Sequence, residues 1–168
     1  MFLRKLKLYK LRLKMMKQVK LTVLFLLINF GGLAIGSWLM NNGPTSEWYA
    51  GLNKAPWSPP GWVFGVAWTT IMVCFSFYLG ILFIKNYTFK LTLIYFIQFV
   101  LNVSWNYIFF NQHLILLGFL AIVLLTALLF FYFFKLSSKC ENYKYLLLPY
   151  MIWLCIATSL NLYILIHN

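Results

Sequence analysis

The sequence predicts an all-α protein built as a bundle of five transmembrane helices, N-terminus inside and C-terminus outside, and three observations predict it. Of its 168 residues 63% are hydrophobic and only 10% charged, with a mean hydropathy of +0.83, far more apolar than a water-soluble domain. Five windows, roughly 21–40, 62–84, 88–110, 114–134 and 145–166, each supply the about 20 apolar residues that a helix needs to cross hydrocarbon. None carries a charge in its interior, and Lys85 and Lys90 fall at the margins of the second and third. The fourteen Lys and Arg also alternate along the chain: eight precede the first span, one lies in the first connection, two in the second, none in the third, three in the fourth and none after the last span. By the positive-inside rule the N-terminus and the second and fourth connections face the cytoplasm, and 41–61 and the C-terminus face outward.

Residues 1–20 read as a basic N-terminal tail ahead of a transmembrane domain over 21–168. The tail holds Arg4, Lys5, Lys7, Lys10, Arg12, Lys14, Lys17 and Lys20, and the whole chain has a formal charge of +12 with two acidic residues. Placed before an apolar segment, this charge suits anionic headgroups, not nucleic acid. Phe2 to Met16 reads as an orientation signal or as a basic amphipathic helix on the inner leaflet. A signal peptide ending near Ala34-Ile35-Gly36 is the competing reading of the first span, disfavoured because the apolar run is close to full spanning length. Within that span Asn29, Gly32 and Gly36 share a face, and the G-x-x-x-G permits close helix contact.

The connection that follows contains Trp48-Tyr49-Ala50-Gly51-Leu52-Asn53-Lys54-Ala55-Pro56-Trp57-Ser58-Pro59-Pro60-Gly61-Trp62 and reads as an ordered lid. Its three prolines restrict φ, Ser58 is placed to cap the next helix, and Pro59-Pro60 suit a first helical turn. Part of its aromatic content reads as an interfacial belt and part as a cap over a cavity. In the third span Gln98, Asn102, Trp105 and Asn106 recur at helical spacing, and in the fifth Tyr150, Trp153, Ala157 and Asn161 do the same. Polar side chains inside spans turn toward neighbouring helices or a cavity, so these stripes signify either interhelical hydrogen bonds or a pocket. The fourth span, almost entirely Leu, Phe, Ile and Val around Thr126, reads as peripheral.

Several chemistries are disfavoured. No Asp, Glu, His or Lys lies in the interior of any span, so acid–base catalysis and ion pumping lack their usual group. Cys74, Cys140 and Cys155 have no paired spacing and read as free thiols, and His113 and His167 map to the outer side without a carboxylate, so no metal is expected. No internal repeat marks a transporter built from two halves. What remains suits a flat hydrophobic ligand held by stacking and a few hydrogen bonds.

Three blocks give the sequence a family resemblance. They are Trp48-Tyr49 through Lys54 with Trp57-x-Pro59-Pro60-x-Trp62-Val63-Phe64-Gly65 and Trp68; Leu101-Asn102-x-x-Trp105 with Phe109-Phe110; and Pro149-Tyr150-x-x-Trp153-x-x-x-Ala157-Thr158-x-Leu160-Asn161. In that order they resemble the signature of the TspO/MBR family, the tryptophan-rich sensory proteins related to the translocator protein. The resemblance implies a commonly dimeric five-helix bundle with a cavity beneath the first loop for porphyrins, haem-related tetrapyrroles, sterols or benzodiazepine-type drugs. It carries ligand-binding roles to Tyr49, Pro59, Trp68, Asn102, Trp105, Trp153 and Ala157, with Trp68 and Trp153 flanking the ligand. These two tryptophans are also the place for a light- and oxygen-dependent porphyrin breakdown, and transport of the ligand is a further alternative. No cofactor is required beyond the tetrapyrrole ligand. The implied partners are the ligand, membrane lipid and a second copy of the chain, and the implied location in a bacterium is the inner, plasma membrane. The chain departs from the family pattern at Ala55, Met72 and Asn106-Tyr107. No Lys or Arg follows Tyr163, which weighs against cholesterol.

Overall fold

A computed structural model describes residues 2–168. Helices stand at all five apolar windows: α1 (Phe2–Leu39), α3 (Gly61–Lys85), α4 (Phe89–Asn106), α5 (Ile115–Phe134) and α6 (Leu148–His167), with a short α2 (Glu47–Gly51) in the first connection. By length and composition each of the five is able to cross a membrane. Their neighbour relations close a ring in the order α1, α3, α6, α5, α4 and back to α1. Helices adjacent in sequence are antiparallel, so one end of the ring carries the basic N-terminus and the other carries residues 40–60. These are termed the basic end and the lid end.

Local chemistry sets the element ends. Ser46 caps α2 by accepting from the Tyr49 amide at 3.2 Å, and Thr88 caps α4 by accepting from Leu91 at 3.1 Å. After α1 the chain turns through Asn41 in the left-handed region, φ 52°, a conformation that Asn tolerates better than most residues. Helix α3 begins at Gly61, so Pro59-Pro60 precede its first turn and do not form it. Pro60 is extended at ψ 150° and occupies the capping position, while the Ser58 amide closes a turn onto the Ala55 carbonyl, so Ser58 does not cap. Helix α4 does not stop in a tight turn: Tyr107–Asn111 widen into a π-helical turn, closed by the Gln112 amide on the Tyr107 carbonyl at 3.0 Å, and His113 then reverses the chain at φ 57°.

Packing is unequal along the axis. Toward the basic end Ile71, Met72, Phe75, Tyr78, Leu79 and Leu82 of α3 are buried against Leu125, Leu129 and Tyr132 of α5 and Tyr150 and Leu154 of α6. The Phe75 ring lies 5.5–6.4 Å from the rings of Tyr78, Tyr95, Tyr132 and Tyr150. Gly80 admits Thr22 of α1 so closely that a Cβ there would meet the Thr22 hydroxyl and lie 3.2 Å from its Cα. The two glycines of the G-x-x-x-G in the first span act within this bundle. A Cβ on Gly32 would sit 2.5 Å from the Phe99 ring, and one on Gly36 would sit 2.8 Å from the Asn106 amide nitrogen.

Helix α5 is not peripheral. Gly118, Ala121, Ile122, Leu125, Leu129 and Tyr132 form a buried stripe along it, while Leu116, Leu117, Leu120, Leu124 and Phe131 face outward. An all-apolar composition is what a two-faced helix needs when its other face meets lipid, so it carries no information about rank in the ring.

Candidate ligand-binding site

Toward the lid end the ring is not filled. A cavity of about 300 Å³ opens between Gly32, Leu33, Ser37 and Met40 of α1, Phe64, Gly65, Trp68 and Thr69 of α3, and Asn102 and Asn106 of α4. Small residues on α1 and α3 hold the wall back, and the Trp68 indole and Phe64 ring supply flat apolar surface. None of these ten side chains is ionisable, so the chamber offers stacking and hydrogen bonding, not proton transfer.

The two polar stripes read from the sequence meet here. Gln98 Nε2 donates to the Tyr150 hydroxyl at 3.0 Å, and that hydroxyl donates to Asn102 Oδ1 at 3.0 Å, so α4 and α6 are joined by a chain that ends at the cavity wall. Trp68 leans edge-on against Tyr150 with centroids 5.9 Å apart. Asn106 Nδ2 donates to the Asn102 carbonyl at 3.3 Å, which turns its side chain along the α1–α4 seam. Three buried polar atoms of α4 and α6 have no partner: Gln98 Oε1, Trp105 Nε1 and Asn161 Oδ1. An unmet donor or acceptor in low dielectric costs about 1–3 kcal/mol, which a ligand group or water recovers by binding it.

The sequence-derived site residues fall into three places. Trp68 and Asn102 line the cavity. Trp153 and Ala157 are buried in α6 one layer away: the Trp153 ring meets Phe64 edge-on at 5.0 Å, and Phe64 in turn lines the cavity. Trp105, Tyr49 and Pro59 belong to the lid region. Trp105 stacks on Phe109 at 5.4 Å, Tyr49 packs on Phe110 at 5.3 Å, and Pro59 is half-buried just before α3. Burial pushes the Tyr49 phenol above its ordinary value, so it stays protonated and neutral. Lys54 reaches back over its ring at 4.7 Å and donates to the Tyr49 carbonyl. Sequence reasoning missed Ser37, Met40 and Thr69 as wall residues. Ser37 is the only hydroxyl in α1 after Thr22, and Thr69 adjoins Trp68, so a weak signal existed for both.

The lid is fastened on two sides. Trp48 stacks on His113 at 4.0 Å and meets the buried ring of Phe109, in the π-turn after α4, at 5.6 Å. On the other side the Asn53 amide donates to Asn168 Oδ1 at 2.9 Å, Asn53 Nδ2 donates to the His167 carbonyl at 3.0 Å, and Trp57 Nε1 donates to Ser159 Oγ at 3.2 Å.

A ring of five spans with an uncharged, aromatic chamber next to a fastened loop defines a multi-pass membrane protein. The chain belongs to the TspO/MBR family, whose model matches residues 23–167. It is 31% identical over 129 residues to the tryptophan-rich protein TspO of Chlorobaculum tepidum, covering 74% of this chain and 82% of that one. It is 30% identical over 151 residues to the TspO of Bacillus cereus, covering 87% and 94%. Over 138 residues it is 31% identical to the human translocator protein, covering 77% and 79%.

Proposed function

We propose that this protein binds a tetrapyrrole, or a comparably flat hydrophobic ligand, in the chamber between α1, α3 and α4. The observation that carries the reading is the wall itself: an indole and a phenyl ring for stacking, amides of Asn102 and Asn106 for orientation, and no charge to repel a greasy macrocycle. At about 300 Å³ the chamber is at the low end of ligand pockets, so a macrocycle enters edge-on and leaves part of its rim at the open side. The names of the relatives, which include a tryptophan-rich sensory protein, accord with a sensing role built on tryptophan. The alternation of Lys and Arg supports an orientation with the N-terminus in the cytoplasm, and the reading for a bacterium is the inner membrane.

Titration with protoporphyrin, followed by tryptophan fluorescence in detergent, tests this. Saturable quenching that weakens in Trp68→Phe supports the reading. Quenching that fails to saturate, or that persists unchanged in the combined Trp68→Phe and Trp153→Phe protein, contradicts it. Mass spectrometry of illuminated samples then separates simple binding from oxidative breakdown, for which Trp68 is the wall residue able to act as electron donor.

A further inference from the structure

Helix α1 has 38 residues, about 57 Å at 1.5 Å per residue, and so outruns the roughly 30 Å of bilayer hydrocarbon by about 27 Å. The surplus is the arm 2–20, which continues the helix without a break, lies outside the residues that the family model matches, and is exposed at every described side chain except the half-buried Gln18. At 100° per residue Phe2, Leu6, Tyr9, Leu13 and Met16 fall within an arc of roughly 80°. All five are exposed, Phe2 by 76% and Tyr9 by 61%. Cations border this stripe on both sides, Lys7, Lys10, Lys14 and Lys17 on one flank and Lys5 and Arg12 on the other. A second run, Leu8, Leu11, Met15 and Val19, faces away and has Arg4 in its midst.

We propose that the arm lies on the anionic lipid surface of the leaflet it emerges from, with the Phe2–Met16 stripe seated among the acyl chains and its flanking lysines on the headgroup phosphates. The first acidic residue of the chain is Glu47, on the lid connection, so the arm has no acidic residue with which to pair a second copy, and its occupant must bring negative charge. Nucleic acid brings the charge but leaves five apolar side chains uncovered. An anionic bilayer covers both, Tyr9 suits its interface, and the arm is tethered to it by its own span. Lying down turns the helix axis at headgroup level, near Lys17 to Lys20.

Trypsin reads the arm directly, because its cations are cleavage sites. The full chain is placed in nanodiscs of phosphatidylcholine alone or with about a third phosphatidylglycerol, and cleavage within residues 4–20 is followed relative to cleavage at Lys135 in the α5–α6 connection at the same end. The expected result is arm cleavage roughly tenfold slower in the anionic discs, with the protection lost in about 0.5 M salt. Leu6→Ser with Leu13→Ser is expected to abolish the protection, and Leu8→Ser with Met15→Ser to leave it. Equal rates in the two discs overturn the proposal, as does protection that survives loss of the Leu6 and Leu13 stripe. An arm digested freely in anionic discs but shielded by added RNA assigns it to nucleic acid instead. The substituted positions touch nothing in the bundle, and unchanged cleavage at Lys135 verifies its integrity.

Discussion

The two ends of the bundle are made from the same residue types and do different things with them. Toward the basic end polar side chains are consumed by one another: Tyr95 donates to Asn29 Oδ1 at 2.8 Å, Asn29 Nδ2 donates to Ser76 Oγ at 2.8 Å, and Ser76 donates to the Met72 carbonyl. Tyr78 likewise pairs with Ser137, and only the Tyr132 hydroxyl is left over among the described residues there. Toward the lid end Asn102 and Asn106 stand at a cavity, and Trp105 and Asn161 keep buried atoms unpaired. Polarity within a span therefore does not define a site. What sets the lid end apart is space beside polar side chains, the cavity that Asn102 and Asn106 line.

This contrast is open to breakage in order of effect. Phe75→Ala removes the ring around which four tyrosines pack and is expected to lower stability by about 3–5 kcal/mol, measured by thermal unfolding in detergent, while protein that remains folded binds tetrapyrrole as before. A binding loss as large as the stability loss would mean that the two ends are one unit. Gly80→Val forces α1 away from α3 at Thr22 and is expected to cost about 1–3 kcal/mol, again by thermal unfolding and with little change in affinity.

The lid end is expected to respond in the opposite sense. Asn102→Leu gives up one interhelical hydrogen bond, about 0.6 kcal/mol in a membrane setting, and yet weakens ligand binding by roughly tenfold in a fluorescence titration. The smallest effect is expected from Asn53→Ala, which releases the lid from the C-terminus. Ligand dissociation, followed by stopped flow, is expected to quicken roughly twofold with no measurable change in unfolding temperature, because these bonds are exposed to water.

The sequence displays much of this because a membrane imposes strong rules. Five apolar windows, the alternating cations and the Gln98–Asn106 and Tyr150–Asn161 stripes are all legible, since lipid tolerates neither charge nor unpaired backbone. Pairing is not legible. Asn29 and Asn102 look equivalent on the page, and only three-dimensional neighbours show that the first is locked between Ser76 and Tyr95 while the second ends at a cavity. Gly80 carried no motif, although it sets the closest approach of α1 to α3. The π-turn at Tyr107–Asn111 was hidden too, because no local breaker marks it; there Phe109 and Phe110 pack against Trp48 and Tyr49. The buried stripe of α5 was masked by its uniform composition.

All seven tryptophans are reporters of the central claim, and their indole N–H resonances in isotope-labelled protein test it most directly. On titration with protoporphyrin the Trp68 and Trp105 signals are expected to shift saturably and together, one from the cavity wall and one carrying a buried unpaired donor, while those of the outward-facing Trp38 and Trp62 stay in place. Shifts confined to Trp38 and Trp62, or shifts that grow without saturating, would mean that the ligand merely dissolves around the bundle and that the chamber is not its site.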